Sequence, residues 1–261
     1  MAASPLVSIV TPSYNQAVFL EEAISSILEQ DYPKIEFIVI DGGSSDGSLE
    51  IIKRHAKDLT YWISESDRGQ TDALNKGFAR ATGKYLAWLN ADDRLKKNAV
   101  TEAVDFLEAQ SEIGMVYADA DFIDAHGRVI GRFAARQTDY KRLLRGYVHI
   151  PQQAALWRAD LWKQVGPLDP SLTFAMDYDL WVRLAKISEI HYHPRLWAEF
   201  RLHADSKTIQ NDMRAWDDML AVHRRERGSG LSILHAKYWL RRLLFPLIRY
   251  RRQRMARVPL N

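Results

Sequence analysis

Two adjacent carboxylates, Asp92 and Asp93, are the residues of this sequence with the clearest chemical meaning. They follow the apolar run at residues 85–89, which predicts a buried strand, at the point where that strand should end. In an open α/β sheet, ligands bind at the carboxyl ends of the strands. Two neighbouring ionised carboxylates repel each other unless a cation lies between them. The pair therefore predicts a divalent metal, which at such an edge would hold phosphates.

Another carboxylate, Asp41, ends the predicted strand at residues 35–40 and opens the turn Asp-Gly-Gly-Ser-Ser-Asp-Gly. Its side chain could accept hydrogen bonds from a nucleobase or a ribose, or it could cap the following helix or shape the turn. The two glycines do not form the dinucleotide fingerprint, which needs G-x-G-x-x-G directly before the helix. The turn by itself leaves both interpretations open.

A further carboxylate, Asp177, precedes a helix-compatible run that includes Leu180, Trp181 and Leu184. One interpretation makes Asp177 a general base that faces a site. The other makes it the N-cap of the helix that carries Trp181. The local sequence does not decide between them.

Residues 200–208 place two cations, a histidine and two hydroxyl side chains in a predicted loop. Such a set suits a diphosphate or a metal ion. A lone histidine is more often structural than a ligand, so the segment is suggestive only in combination with the carboxylates.

The elements that must position these residues alternate along the chain. Strands are predicted at residues 6–10, 35–40, 59–64 and 85–89, and helices at residues 19–30, 48–56, 71–81 and 98–109. This alternation predicts an α/β fold with a doubly wound, mostly parallel central sheet. Beyond Met115 the pattern changes to short strands mixed with helices.

The composition separates the chain into an acidic body and a basic end. Residues 222–261 carry 11 Lys/Arg and one acid, which leaves 25 Lys/Arg and 32 Asp/Glu in the rest of the 261 residues. This asymmetry predicts chemistry in the body and attachment by the tail. The absence of cysteine excludes disulfides and thiolate metal sites and fits a reducing compartment. We expect no secretory signal and no transmembrane segment.

Taken in order, the motifs resemble family 2 glycosyltransferases, which have the nucleotide-sugar-binding α/β fold called type A. The resemblance covers residues 5 to about 210 and rests on four motifs, at residues 7–15, 40–47, 65–77 and 83–93. The third is most similar to bacterial enzymes that build O-antigen and other surface polysaccharides. The resemblance implies an inverting, metal-dependent transfer of a sugar from a nucleoside diphosphate, expected to be UDP, to a hydroxyl of a lipid-linked or oligosaccharide acceptor.

The resemblance also implies a role for each candidate residue around the nucleotide. Thr11, Pro12 and Tyr14 would line the nucleotide pocket, and Asp41 would read the base. Asp92 would meet the ribose. Asp93 would ligate Mn²⁺ or Mg²⁺, with His203 completing the metal or diphosphate site. Asp177 matches the catalytic base, although Met176 stands where many members carry a second acid.

The diphosphate and the sugars require further residues. Leu74 stands where many members carry an arginine, so another cation must serve the phosphates, and the candidates are Arg68, Arg201 and Lys207. Asp72, Gln152 and Gln153 are expected at the donor or acceptor sugar. The implied catalytic domain spans residues 1–227, with a nucleotide-binding half at about 1–115 and an acceptor half at about 116–227.

A basic amphipathic extension is predicted at residues 228–261, after a linker at residues 228–230. Apolar residues share one helical face there, with arginines elsewhere and a kink expected at Pro246. Residues 231–261 could lie on an anionic membrane surface, or the helix could pack on the body or on a second subunit in a homodimer. Nucleic acid is not expected as a partner because the domain carries no matching motif. The expected location is cytoplasmic, peripheral at the inner face of the membrane.

Two other functions compete with sugar transfer. Carboxylates at strand ends also occur in aspartyl phosphoryl-transfer proteins, in which Asp41 would carry the phosphate. A non-catalytic sugar-binding relative would keep the fold without the reaction. The tandem Asp92 and Asp93 together with Asp177 favour a nucleotide-sugar enzyme over both.

Overall fold

The computed structural model describes residues 4–203, 206, 212–227 and 232–256. Within them, nine strands form one sheet: β1 (Val7–Ser13), β2 (Ile35–Asp41), β3 (Tyr61–Ser64), β4 (Tyr85–Trp88), β5 (Arg94–Leu95), β6 (Ile113–Ile123), β7 (Val129–Phe133), β8 (Ala155–Arg158) and β9 (Glu189–Arg201). The spatial order is β3-β2-β1-β4-β8-β6-β9-β5, and β7 pairs with β6.

Helices connect these strands and cover both faces of the sheet. They are α1 (Ala17–Leu28), α2 (Ser48–Arg54), α3 (Gln70–Phe78), α4 (Ala99–Ala109), α5 (Tyr140–Leu143), α6 (Ala159–Val165), α7 (Met176–Ile187), α8 (Asp212–Arg227) and α9 (Ile233–Ala256). A 3₁₀ turn, Gln152–Ala154, precedes β8. The predicted α/β fold with a C-terminal helical extension is confirmed, and the predicted domain boundaries stay predictions.

The first four strands form the parallel part of the sheet. β2 and β4 flank β1, and β3 lies beyond β2, all in the same direction. Every residue of β1 is buried, as expected for a parallel strand with helices on both faces. Ser13 pairs with Asp41, and Asp41 pairs with Ser64, so these strands end at one edge. That edge is where the tandem carboxylates were expected.

The second half of the sheet is mixed in direction. β8 runs antiparallel to β4 and to β6, whereas the 13-residue β9 runs parallel to β6. Phe200 and Arg201, which the sequence placed in a loop, are the last two residues of β9. The short β5 pairs with β9 through Arg94 and Glu199. This pairing brings β9 next to the segment that follows Asp92 and Asp93.

Two apolar clusters fill the spaces on either side of the sheet. One is centred on Trp88, Trp157 and Trp181, in which the Trp88 and Trp181 rings stack with centroids 5.8 Å apart. Trp88 is on β4 and Trp181 is on α7, so this stack fixes α7 against the strand that leads to Asp92. α3 approaches β1 closely because Gly77 has no side chain; a Cβ there would lie 2.4 Å from a methyl of Val10.

The C-terminal helices pack on each other beside this cluster. Leu234 and Tyr238 of α9 are buried, and the Tyr238 hydroxyl donates to Asp217 on α8. α9 continues through Pro246. The predicted linker at residues 228–230 lies outside the described residues. No helix among the described residues is both long and apolar enough to cross a membrane.

Candidate active site

A cavity of about 820 Å³ opens at the carboxyl ends of β1, β2 and β4. It is bordered by the turns after these strands, by the 3₁₀ turn and by the start of α7. Six of the residues predicted from the sequence line it: Pro12, Tyr14, Asp92, Gln152, Gln153 and Asp177. Segments more than 160 residues apart in the chain therefore meet at one place.

Asp92 and Asp93 lie in different environments. Asp93 is buried, and its carboxylate accepts hydrogen bonds from the backbone N–H of Arg201 at 2.9 Å and from Asn90 Nδ2 at 3.3 Å. Burial and the neighbouring Asp92 raise the pKa of Asp93 well above its usual value. Asp92 lines the cavity, and its Oδ2 lies 3.1 Å from His203 Nε2. Asp92 is therefore the member of the pair that borders the cavity, whereas the roles of Asp92 at the ribose and of Asp93 at the metal stay predictions.

A metal could be held by Asp92 and His203 together with a bound diphosphate. No group of three or more His, Cys, Asp or Glu side chains that could hold a metal occurs among the described residues. Mg²⁺ commonly takes one or two protein carboxylates and completes its shell with substrate phosphates and water. A carboxylate beside an imidazole therefore fits a metal that binds with its substrate.

The side chain of Asp41 does not line the cavity. It is fully buried and accepts hydrogen bonds from the backbone N–H groups of Gly43 and Ser44 and from the hydroxyls of Ser44 and Ser64. In this structure it shapes the turn after β2, and its role at the base stays a prediction. Its burial also removes the support for a phosphorylated Asp41. Thr11 is likewise buried in β1 and does not line the cavity.

The sequence analysis missed Asp67, which lines the cavity on the side of β2 and β3. A signal was available, because Asp67 follows β3 by three residues and β3 ends at the same edge as β1 and β2. Trp88 was also missed; as the last residue of β4 it borders the cavity immediately before Asn90.

The two glutamines differ in what they bind. Gln152 donates from Nε2 to the Trp88 carbonyl at 2.7 Å and accepts from Asn90 Nδ2 at 3.1 Å, so it holds the end of β4. Gln153 is also buried, but its Nε2 meets no hydrogen-bond partner within the described part of the chain, and the same holds for Trp88 Nε1. A buried donor without a hydrogen-bond partner lowers the free energy of unfolding by about 1–3 kcal/mol. These two donors are therefore suited to oxygen atoms of a ligand or to water.

Asp177 lies in the first turn of α7 and borders the cavity. Burial raises the pKa of its carboxyl above the ordinary value. The N-cap residue of α7 is Ala175, and the N–H groups of Phe174 and Ala175 donate to Asp218 of α8. Asp218 therefore accepts hydrogen bonds at the start of α7, which is the capping role that one interpretation of the sequence gave to Asp177. The Asp177 carboxylate is therefore a comparatively basic group on the cavity wall.

Of the three predicted phosphate-binding cations, the structure describes Arg68 and Arg201. Arg201 is fully buried, and its guanidinium donates to Glu22 and to the carbonyls of Asp92, Asp124 and Ala125. In this structure the guanidinium is occupied by these partners and does not line the cavity, and its role at the diphosphate stays a prediction.

Of the other two cations, Arg68 is exposed and pairs with Asp72 at 3.0 Å, and Asp72 also faces Lys76 at 3.6 Å. Neither Arg68 nor Asp72 lines the cavity, so their predicted roles at the phosphates and the sugar stay predictions. Lys207 lies outside the described residues.

A family model and individual related sequences both assign the chain to the same family. The family model described as Glycosyl transferase family 2 matches residues 8–163. An uncharacterized glycosyltransferase of Rickettsia prowazekii (strain Madrid E) is 30% identical over 227 residues, which cover 83% of this chain and 70% of the relative. Another from Mycobacterium tuberculosis (strain ATCC 25618 / H37Rv) is 30% identical over 244 residues, which cover 90% of this chain and 91% of the relative.

Solved structures share the fold at lower identity. Staphylococcus aureus TarS 1–349 in complex with UDP-GlcNAc aligns with a TM-score of 0.68 at 15% identity, over 88% of this chain and 69% of that one. The mannosyltransferase PcManGT from Pyrobaculum calidifontis, in complex with GDP-Man and Mn²⁺, aligns with a TM-score of 0.68 at 23% identity, over 92% and 70%.

We expect the buried guanidinium of Arg201 to contribute strongly to the stability of the protein. Arg201→Ala should lower the free energy of unfolding by about 3–5 kcal/mol, because it leaves Glu22 and the carbonyls of Asp92, Asp124 and Ala125 without the guanidinium that donates to them. Arg54→Ala is the matched control; its side chain is 61% exposed and pairs with Glu21, so the loss should stay below about 1 kcal/mol. Urea unfolding of both variants measures the difference. Equal losses would show that Arg201 is not a structural centre.

Proposed function

The chain belongs to glycosyl transferase family 2, and from this premise we propose that it moves a sugar, with inversion, from a nucleoside-diphosphate sugar to an acceptor hydroxyl. The observation that carries the proposal is that Asp92, beside His203, and Asp177 line one cavity at the carboxyl ends of parallel strands. Support comes from the comparison structures, which hold UDP-GlcNAc in TarS and GDP-Man with Mn²⁺ in PcManGT.

The donor would lie across the cavity with its nucleotide towards the turns after β1 and β2. Pro12 and Tyr14 border that end. Asp92 and His203 would hold a divalent metal, which when bound neutralises charge on the departing diphosphate. Asp93, buried behind them, fixes the loop through Arg201 and Asn90. We propose UDP or GDP as the carrier, because these are the nucleotides in the comparison structures.

The transferred sugar would lie between Asp92 and Asp177. Gln153 Nε2 and Trp88 Nε1 are buried donors on that part of the wall, and sugar hydroxyls offer oxygen atoms that would meet them. Asp177 would take the proton of the acceptor hydroxyl as its oxygen attacks the anomeric carbon. The carbon–oxygen bond to the diphosphate breaks in the same displacement, so the configuration inverts.

The acceptor is proposed to be a lipid-linked glycan of a bacterial surface polysaccharide, and the enzyme to work at the cytoplasmic face of the membrane. On α9, Trp239, Leu240 and Leu243 are exposed, on the helix that buries Leu234 and Tyr238 against the body. Residues 232–261 contain eight Lys/Arg and no acid. An apolar surface among cations suits an anionic bilayer. A homodimer through the same surface is the competing arrangement.

The first prediction concerns the donor and the metal. With a panel of nucleotide sugars and lipid-linked acceptors, we expect nucleoside diphosphate release with at least one donor in Mn²⁺ and none in EDTA. Asp92→Asn should lower the rate by about 10²-fold or more, because the charge that stabilises the leaving group is lost. Asp58→Asn changes an exposed carboxylate that follows the C-terminus of α2 and does not line the cavity, and it should behave as wild type. No release with any donor would contradict the proposed function.

The second prediction concerns the base. Asp177→Asn should lower kcat by about 10²–10⁴-fold and leave the Kd for the nucleoside diphosphate unchanged. Asp160→Asn, an exposed carboxylate in the first turn of α6, is the matched control. Only ionised Asp177 accepts a proton, and its pKa is raised. Wild-type activity should therefore fall as the pH falls through that raised pKa, at a higher pH than an ordinary aspartate would give. Full transfer by Asp177→Asn would refute this role.

The third prediction concerns the membrane. Wild-type protein should sediment with vesicles that contain phosphatidylglycerol, and the double variant Trp239→Ser/Leu243→Ser should bind them about tenfold more weakly. Val129→Ser/Ile130→Ser changes two apolar residues that are exposed on β7, and should bind as wild type. Unchanged vesicle binding by the α9 variant, or a dimer that only this variant dissociates, would favour a subunit contact instead.

A further inference from the structure

Gly42, directly after β2, leaves space on the cavity wall that the carboxylate of Asp67 occupies. A Cβ at Gly42 would lie 2.8 Å from Asp67 Oδ2 and 3.1 Å from its Cγ. Gly42 is not among the residues with positive φ, so its backbone does not require glycine. The absence of a side chain at Gly42 therefore matters because it leaves room for the Asp67 carboxylate. Both residues line the cavity at the end where Pro12 and Tyr14 lie.

The Asp67 carboxylate is oriented, but its acceptor capacity is not used up. Oδ1 accepts a hydrogen bond from the backbone N–H of Gly69 at 2.7 Å, which fixes the rotation of the group and leaves Oδ2 beside Gly42. A carboxylate offers about four lone-pair positions, so further donors can be accepted. Asp41 differs, because four donors of its own turn and of Ser64 surround its two oxygens.

We propose that Asp67, given room by Gly42, reads the base of the nucleotide and restricts the donor to bases with an N–H at the centre of their pairing edge. The inference rests on the proposed function, which places a nucleoside diphosphate in this cavity. It replaces the role expected of Asp41, whose carboxylate is buried in the turn after β2.

The hydrogen-bonding groups of the bases determine which nucleotides Asp67 would favour. An ionised carboxylate only accepts hydrogen bonds. Uracil presents N3–H, and guanine presents N1–H together with its amino group, so both donate to a carboxylate. Cytosine and adenine present a lone pair at the corresponding ring nitrogen, and this lone pair repels the carboxylate. Uridine and guanosine diphosphates are therefore favoured over cytidine and adenosine diphosphates.

The experiment is calorimetric titration of the full chain with UDP, GDP, CDP and ADP. Wild-type protein should bind UDP or GDP about tenfold to a hundredfold more tightly than CDP and ADP, the range expected for a hydrogen bond to a charged group. In Asp67→Asn, the amide oxygen keeps the Gly69 bond and the NH₂ replaces Oδ2. The preferred nucleotide should then bind about tenfold more weakly, and the preference over CDP and ADP should shrink or reverse.

Two further variants separate geometry from charge. Gly42→Ala keeps every charge but displaces the carboxylate, so it should reproduce the loss of preference. Glu65→Gln removes the same charge two residues away; Glu65 pairs with Lys76 at 2.8 Å and does not line the cavity, so its preference should match wild type.

The outcomes distinguish this inference from the function on which it rests. Equal affinity of the wild type for all four nucleotides, or an unchanged preference in Asp67→Asn, overturns the base-reading role. The same loss for all four nucleotides in Asp67→Asn also overturns it, and places Asp67 on the ribose that they share. If the wild type binds none of the four, the proposed function fails together with the inference.

Discussion

The buried guanidinium of Arg201 is the interaction on which the geometry of the site depends. A guanidinium that is buried away from water needs hydrogen-bond partners, and this one makes four bonds: to Glu22 of α1, to the Asp92 carbonyl and to two carbonyls of the turn at residues 124–125. Its own backbone N–H holds the Asp93 carboxylate. One residue at the end of β9 thus fixes the loop after β4. With Asp93 bonded inward, Asp92 is the member of the pair that borders the cavity.

The other carboxylates divide in the same way between holding the backbone and facing the cavity. Asp41 and Asp93 are buried and accept bonds from N–H groups of the chain, so they set the shape of two strand-end turns. Asp67, Asp92 and Asp177 border the open space. The difference follows from what surrounds each side chain, because Asp92 and Asp93 are the same residue type after the same strand and yet lie in different groups. The acidic body of the chain therefore contains carboxylates that hold the backbone and carboxylates that face the cavity.

The sequence was sufficient to predict the sheet edge but not the orientation of the side chains on it. The first four strands are short, β-prone runs that end at polar turns, and the strand at residues 35–40 was placed within one residue. Whether Asp92 or Asp93 faces the cavity depends on Arg201, more than 100 residues away, which no local pattern reveals. The end of β9 was taken for a loop because polar residues are frequent there, and pairing with β6 and β5 overrides that local preference.

The position of α9 links the proposed attachment surface to the cavity. Leu234 packs against Gly146, and Lys237 donates to the Arg145 carbonyl and lies over the Tyr147 ring. The next residue, Val148, lines the cavity. A helix held on a bilayer would thus hold this wall at a fixed distance from the lipid surface, through contacts that involve no catalytic residue. An acceptor carried by a lipid would meet the enzyme on that side, so the basic end of the chain would orient the reaction that the acidic body performs.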